Sequence, residues 1–356
     1  MAIATLDRKR TEQFSERTLH IVNNASLAMM LSIGHRTGLF DSMALLPPST
    51  SSHIARAAQL NERYVREWLG AMVTGGIVEF DAAGETYRLP PEHAACLTRE
   101  SSPNNVAVTA QWISVLGAAE DAVVDAFRHG RGVPYSAYAR FHNVMAEESR
   151  QTVVLGLREH ILPLAEGLID DLTEGIDALD IACGSGYASI ALAEMFPDSH
   201  FTGIDMSADA IAAGRAEASS RRLRNVNLVQ ADAAELDVDG RYDLVTAFDA
   251  IHDQARPERV LSRIYAALKP GGTFLMQDIA GRSKLADNLS QPLAPFMYTI
   301  SCMHCMTVSL AQGGEGLGAM WGVEKAEELF REAGFSSFEA KRLDHDPINV
   351  YVVARP

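Results

Sequence analysis

The stretch Ala178-Leu179-Asp180-Ile181-Ala182-Cys183-Gly184-Ser185-Gly186-Tyr187 decides the fold of this 356-residue chain. An apolar run reaches an aspartate, two glycines follow one residue apart, and an apolar segment then continues to Glu194. Glycine allows positive φ and lets a ligand approach the backbone closely. The first turn of a helix offers free N–H groups. The pattern therefore predicts a strand, a tight turn and a helix that together hold a nucleoside-like cofactor.

Downstream of this turn, strand-like and helix-like segments alternate to the end of the chain, which predicts a mostly parallel sheet. The seven expected strands are residues 178–182, 200–204, 226–230, 244–248, 273–277, 338–342 and 349–354. The last two are joined by the short connection His345-Asp346-Pro347, so the final strand is expected to be antiparallel. The fold class is α/β, a Rossmann-like, doubly wound sheet of seven strands.

The N-terminal region has a different pattern. One helix is expected over residues 10–37, two shorter ones over 53–58 and 62–74, and two short strands over 77–80 and 86–89. Helix, turn, helix and hairpin predict a winged helix-turn-helix domain over residues 1–103. Residues 104–150 are expected to be a helical connector that starts with one long helix over 104–130, and residues 151–356 form the α/β domain.

The charge of the chain argues against a nucleic-acid partner. The net charge is −15, and the first 100 residues carry 10 Lys+Arg and 11 Asp+Glu, so no basic lobe exists. Arg63 and Arg66 could face a DNA groove. However, Glu62 and Glu67 lie beside them, at the spacing of intrahelical ion pairs. We therefore expect a domain that pairs two copies of the chain as a homodimer or covers a substrate pocket.

The N-terminal sequence lacks the apolar core of a signal peptide, and no apolar stretch is long enough to cross a bilayer. Four cysteines in a chain of this length do not suggest a disulfide framework. These features predict a cytoplasmic protein without a membrane partner.

Two cofactor classes compete for the glycine turn. A dinucleotide site requires a third small residue, glycine or alanine, at the position of Ser189. A methyl-donor site requires an acid ahead of the glycines, where Asp180 lies. The next strand ends at Asp205, 19 residues after Gly186, where an acid can accept both ribose hydroxyls. The third ends near Asp232-Ala233, where a carboxylate can accept from an adenine amino group.

These ordered motifs, which cover residues 178–279, resemble the class I S-adenosylmethionine-dependent methyltransferases. One departure is Ala182, which stands where the family has its first glycine. The resemblance implies S-adenosyl-L-methionine as cofactor. It places Asp180, Gly184 and Gly186 at the methionine portion, Asp205 at the ribose, and Asp232 with Ala233 at the adenine; Met206 and Phe248 complete the expected cofactor set. Each acid could alternatively be a plain strand-end or cap residue.

The run Phe248-Asp249-Ala250-Ile251-His252-Asp253-Gln254 follows the fourth strand of this sheet. It resembles the His-Asp element of small-molecule O-methyltransferases, which also carry winged-helix N-terminal domains. The resemblance implies that His252 removes the acceptor's proton, with Asp253 beside it. Gln254 replaces the tryptophan that usually follows, and His252 could instead be a loop or capping residue.

The segment after the fifth strand, Tyr298–Leu310 with the glycine-rich run 313–322, is expected to line the acceptor pocket. The expected substrate contacts are Asp278, His304 and Trp321, together with Tyr138 and Phe141 from the aromatic run 134–142. These aromatics could alternatively be plain core or seal the domain junction. Cys302 and Cys305 lack the second ligand pair of a structural zinc site, so no metal is expected.

The sequence thus predicts a methyltransferase that acts on a small molecule, with oxygen as the preferred acceptor atom. Methyl transfer to nitrogen, sulfur or carbon on the same fold stays open. A cofactor-binding transcription regulator that uses its winged helix on DNA is the alternative from a different class.

Overall fold

The computed structural model describes residues 6–356. The chain divides into two compact units, of which the first ends at Gly117 and the second covers Ala118–Pro356. The division falls inside the segment 104–150 that the sequence suggests as a connector. Among residues 6–356, no helix combines the length and the apolar character that crossing a bilayer requires.

The first unit is a winged helix-turn-helix, as predicted. Its elements are α1 (Arg8–Thr37), α2 (Leu39–Ala44), α3 (Ser51–Ala57), α4 (Glu62–Thr74), β1 (Glu79–Asp81), β2 (Thr86–Arg88), α5 (Pro91–Leu97), α6 (Val106–Thr109) and α7 (Gln111–Gly117). Thr50 caps α3 and Asn61 caps α4 through side-chain hydrogen bonds to backbone N–H groups. Gly38 ends α1 in the left-handed conformation. Phe40 and Trp68 pack edge to face in the core, with ring centroids 5.2 Å apart.

The prediction of one long helix over residues 104–130 is wrong. Three helices occupy this stretch, namely α6, α7 and, in the second unit, α8 (Glu120–His129). Asn105 starts α6 by accepting a hydrogen bond from the Ala107 N–H. Gly117 lies at the break before α8, where its lack of a side chain makes helix continuation unfavourable by about 1 kcal/mol.

The second unit is the α/β domain. Its remaining helices are α9 (Phe141–Thr152), α10 (Leu168–Glu174), α11 (Tyr187–Met195), α12 (Ala208–Ser220), α13 (Pro257–Ala267), α14 (Ala294–Ile300), α15 (Met306–Ala311) and α16 (Gly322–Ala333). Its strands are β3 (Asp177–Ile181), β4 (His200–Asp205), β5 (Val226–Gln230), β6 (Tyr242–Phe248), β7 (Leu268–Ile279), β8 (Ser337–Leu343) and β9 (Asp346–Arg355). Each expected strand is present, with ends shifted by a few residues.

The sheet has the order β5-β4-β3-β6-β7-β9-β8. Strands β3 to β7 pair in parallel, whereas β9 pairs antiparallel with both β7 and β8. The last strand is therefore antiparallel, as predicted. The chain winds outward in one direction from β3 through β4 and β5, and in the other through β6 and β7. In such sheets, ligands bind outside the carboxyl ends of the strands where the winding direction reverses.

Candidate active site

A cavity of about 400 Å³ opens at the carboxyl ends of β3, β4 and β6 within the second unit. Four aspartates, Asp180, Asp205, Asp249 and Asp253, contribute to its wall. The volume falls within the range of pockets that enclose small ligands and cofactors. Its place in the sheet is the one that the glycine turn predicts.

The glycine turn connects β3 to α11 through three residues with positive φ. Ala182 has φ +51°, Gly184 has φ +55° and Gly186 has φ +67°. Gly184 lines the cavity and donates its N–H to Asp205 Oδ2 at 2.8 Å. Gly186 does not line the cavity, and a Cβ there would lie 2.7 Å from Leu228 Cδ2. Gly184 thus shapes the cavity, whereas Gly186 allows close packing between the turn and the sheet.

Asp180 is buried at the end of β3 and faces the cavity. Its carboxylate accepts hydrogen bonds from Ser189 Oγ and Thr246 Oγ1, each at 2.8 Å. Burial raises the pKa of Asp180 to about 6, although these two hydrogen bonds act in the opposite direction. Ser189 is the residue that does not fit the dinucleotide pattern. In the structure it holds the carboxylate of Asp180, the acid that the methyl-donor pattern requires.

Four of the other predicted cofactor residues line the cavity, namely Asp205, Met206, Ala233 and Phe248. Asp205 accepts from the N–H groups of Gly184 and Ser207, each at 2.8 Å, which fixes its carboxylate at the end of β4.

The predicted adenine contact Asp232, like Gly186, does not line the cavity. It accepts from the Ala234 N–H at 2.8 Å and lies 3.9 Å from Arg256 Nη2. In this structure Asp232 therefore caps the short turn that follows β5, while its neighbour Ala233 contributes to the cavity wall.

His252 is buried behind the cavity, with only 3% of its surface exposed. Its Nδ1 lies 2.8 Å from Asp278 Oδ1. Burial alone lowers the pKa of His252, but the Asp278 carboxylate and Cys305 outweigh it, and the net shift is well upward. Asp278 Oδ1 also accepts from Ile279 N–H at 2.7 Å and from Trp321 Nε1 at 3.2 Å. These donors fix the carboxylate that orients His252.

Asp253 lines the cavity directly and accepts a short hydrogen bond from the Tyr135 hydroxyl. Burial raises the pKa of Asp253, while the charge of His252 and the Tyr135 hydrogen bond act to lower it. Tyr135 also lines the cavity. The contact between Tyr135 and Asp253 joins the segment that follows α8 to the loop that follows β6.

Asp249 lies at the cavity wall immediately after β6, with a φ of +55°. Its Oδ1 is 3.9 Å from His252 Nδ1 and has no hydrogen-bond partner among the residues that the structure describes. Burial raises the pKa of Asp249 to about 7, although the charge of His252 acts to lower it. This carboxylate shares its surroundings with the His252–Asp278 pair.

Three of the five predicted substrate residues, Tyr138, Phe141 and His304, form an aromatic cluster with Tyr135, most of which lies behind the cavity wall. The ring of His304 stacks on Phe141 at 4.0 Å and meets the edges of Tyr135 and Tyr138 at 5.2 and 4.8 Å. Burial lowers the pKa of His304 to about 3. Only Phe141 of the predicted set lines the cavity; Tyr138, Asp278, His304 and Trp321 do not.

Asp249 and Tyr135 are among the cavity residues that reasoning from the sequence missed. Asp249 lies in the quoted run after β6, directly at a strand end, and that position was the available signal. Tyr135 and Tyr138 both lie in the aromatic run, and nothing in their spacing distinguishes the one that reaches the cavity. Tyr138 instead donates a short hydrogen bond to the Met303 carbonyl.

Comparison with known proteins agrees with this geometry. Residues 25–99 match the family model of the Rv2258c-like winged HTH domain, and residues 172–334 match a methyltransferase domain. A demethylmenaquinone methyltransferase from Listeria welshimeri is 28% identical over 204 residues, which cover 55% of this chain and 86% of that protein.

Solved structures of similar fold cover nearly the whole chain. The structure of human N-acetylserotonin methyltransferase in complex with S-adenosylmethionine aligns with this chain at a TM-score of 0.70 and 19% sequence identity. The alignment covers 99% of each of the two chains. Mitomycin 7-O-methyltransferase has a TM-score of 0.71 and 18% identity, and covers 98% of this chain and 100% of that one.

The sheet, the glycine turn with its acids, and these matches define a class I methyltransferase. The chain carries an Rv2258c-like winged-helix domain and a methyltransferase domain, and it is an S-adenosylmethionine-dependent methyltransferase. Its cofactor is S-adenosyl-L-methionine.

Proposed function

We propose that this enzyme methylates a small-molecule acceptor, with oxygen as the acceptor atom and His252 as the general base. The observation that carries the proposal is the His252–Asp278 pair at 2.8 Å, located behind the cavity wall at the carboxyl end of the sheet. A carboxylate at Nδ1 holds the ring in one orientation and stabilises the imidazolium that forms when the base takes a proton. Asp253, which lines the cavity, positions the loop through Tyr135.

The cofactor supplies an activated methyl group, so the protein mainly aligns the reactants and excludes water. Under the proposal, Asp180 and Gly184 contact the methionine portion, Asp205 contacts the ribose, and Ala233 lies against the adenine. Alignment of this kind can lower a barrier by roughly 7–11 kcal/mol. A positioned base adds about 10²–10⁴-fold.

Neither His252 nor Cys305 lines the cavity, and the two residues interact electrostatically behind its wall. An acceptor bound in the cavity could therefore deliver its proton to the imidazole only after the wall between them rearranges. Cys305 lies on a π-helical turn, Ser301–Cys305, between α14 and α15. Such turns are frequent at functional sites. We therefore propose that the segment 301–311 moves when the acceptor binds.

The experiment that tests the function is incubation of the enzyme with methyl-labelled cofactor and a metabolite extract, followed by mass identification of the labelled product. The variant His252→Ala should bind the cofactor normally and lose about 10²–10⁴-fold in turnover. Near-full turnover of this variant would refute the base assignment. A product labelled on nitrogen, sulfur or carbon would refute the choice of oxygen.

We also propose that the chain forms a homodimer through the first unit. Helix α1 exposes Phe14, Ile21, Val22 and Met29, which recur at helical spacing and form an apolar stripe. Contiguous exposed apolar surface marks interaction sites. The double variant Phe14→Glu/Ile21→Glu should sediment as a monomer if the stripe is the interface, whereas an unchanged mass would exclude it.

A cytoplasmic location stays a prediction.

DNA binding by the winged helix is not favoured. In α4 the Arg63 guanidinium pairs with Glu67 at 2.5 Å, and Arg66 Nε lies 3.5 Å from Glu62. Both arginines thus have acidic neighbours that would repel a phosphate backbone. A salt-sensitive, sequence-selective gel shift with genomic fragments would reverse this conclusion.

A further inference from the structure

We propose that Asp249 recognises the positive charge of the cofactor sulfonium, so that the enzyme binds S-adenosylmethionine in preference to its uncharged product, S-adenosylhomocysteine. The proposal rests on the proposed placement of the cofactor in the cavity. It assigns to Asp249 a role in binding the charged cofactor and in releasing the product, separate from the proton transfer assigned to His252.

The charge of the cavity wall is strongly one-sided. Four carboxyl groups line it, and no lysine or arginine of residues 6–356 does. Inside a cavity with apolar walls, charges interact more strongly than in water. A wall of this kind attracts a cationic ligand and offers little to a neutral one.

The sheet order places Asp249 at the sulfonium end of the cofactor. The proposed ribose contact Asp205 ends β4, and the proposed adenine contact Ala233 follows β5, both on one side of β3. Strand β6 lies on the other side of β3, and Thr246 of β6 hydrogen-bonds to Asp180 of β3 at 2.8 Å. Asp249 follows Thr246 by three residues, so it lies on the side where the methionine portion is expected.

Asp249 lines the cavity with a side chain that is 21% exposed, whereas its Oδ1 is buried and lies 3.9 Å from His252 Nδ1. Asp180 and Asp205 each accept two hydrogen bonds, and Asp253 accepts one from Tyr135. Asp249 Oδ1 is buried and, within the described part of the chain, accepts none. Its backbone N–H donates to the Gln277 carbonyl at 2.8 Å, which fixes the residue in its left-handed conformation.

The charged groups around Asp249 leave room for this role. His252 Nδ1 is 3.9 Å away, but it hydrogen-bonds to Asp278, and the carboxylates of Asp253, Asp278 and Asp346 act on Asp249 as like charges. Burial, together with these acids, raises the pKa of Asp249 to about 7. A cation brought next to the carboxylate would favour its ionised form.

The reaction removes the charge that Asp249 would recognise. The bond between sulfur and the methyl carbon breaks, the methyl group forms a bond to the acceptor, and the electron pair stays on sulfur. The acceptor's proton goes to the base. The sulfonium thus becomes a neutral thioether, and the attraction to Asp249 disappears at the moment when the product must leave.

Calorimetric titration of the whole enzyme with three ligands tests the proposal. S-adenosylmethionine and sinefungin carry a positive charge at the position where S-adenosylhomocysteine carries none. The variant Asp249→Asn removes the charge and keeps a residue type that tolerates the left-handed conformation. Asp237→Asn, at an exposed position outside the cavity, is the matched control for the loss of one negative charge.

We expect the wild-type enzyme to bind the two cationic ligands more tightly than S-adenosylhomocysteine. Asp249→Asn should weaken binding of both by about tenfold or more, and leave the neutral ligand within about twofold. Asp237→Asn should change none of the three. Equal weakening of all three ligands by Asp249→Asn, or of none, at an unchanged melting temperature, would overturn the proposal. Absence of any binding by the wild-type enzyme would overturn the proposed function as well.

Discussion

His252 Nδ1 and Asp278 Oδ1 lie 2.8 Å apart, and this pair is buried behind the cavity wall, not exposed on it. Asp278 has three donors on one oxygen, so its position is fixed by β7 and by Trp321. A ring held in this way keeps one orientation. The pair is therefore the preorganised part of the candidate site, and the proposed movement of the segment 301–311 would take place around it.

The first prediction concerns the pH dependence of turnover. The Asp278 carboxylate helps to raise the pKa of His252, and a base must be neutral to accept a proton, so wild-type turnover should fall at the acid side of a raised pKa. In Asp278→Asn the acid limb of the pH–rate profile should move to lower pH by about one unit or more, with a lower maximal rate. The profile is measured with the labelled-cofactor assay. If the acid limb of the variant lies at the same pH as that of the wild-type enzyme, Asp278 does not raise the pKa of the base.

The second prediction concerns the strain at Ala182. Its φ of +51° is a conformation that costs an alanine about 1 kcal/mol or more, whereas glycine adopts it freely. Ala182→Gly should therefore raise the melting temperature, by about 2–4 °C for 1 kcal/mol in a domain of this size. Ala213→Gly, an exposed position inside α12, is the matched control and should lower it, because glycine disfavours a regular helix. The same sign for both variants would contradict the assignment of strain.

How far the sequence predicts the site depends on what fixes each residue. Asp205 could be placed because a strand end at a set distance from the glycine turn must meet the same crevice. Asp249 could not, because its proposed role depends on a left-handed backbone and on its place in the cavity wall, which only the packed structure reveals. Asp232 lies two residues beyond the end of β5, whereas Asp205 ends β4, and a hydrogen bond from the Ala234 N–H makes Asp232 a cap.

The third prediction follows from the pKa of Asp249, which is raised to about 7. Below that pH the carboxyl group takes up a proton and becomes neutral, so its attraction for a cation is lost as the pH falls. Between pH 7.5 and 6, the affinity for S-adenosylmethionine should fall relative to that for S-adenosylhomocysteine. In Asp249→Asn the ratio of the two affinities should be almost flat over the same range. A ratio in the wild-type enzyme that does not change with pH would count against the sulfonium role.

The fourth prediction separates the two glycines of the turn. Gly184→Ala places a Cβ in open space at the cavity, with nothing within 4 Å, whereas the same change at Gly186 brings a Cβ to 2.7 Å from Leu228 Cδ2. Both positions have positive φ, so each variant bears a backbone cost of about 1–2 kcal/mol. Gly186→Ala adds an overpacking cost of about 1–3 kcal/mol and should show the lower melting temperature. Gly184→Ala should be more stable than Gly186→Ala but bind S-adenosylmethionine less tightly, because its new methyl group occupies the wall against which the cofactor is proposed to lie. Denaturation and calorimetric titration of the two variants side by side measure both effects, and equal stability with equal affinity would refute the division of roles within the turn.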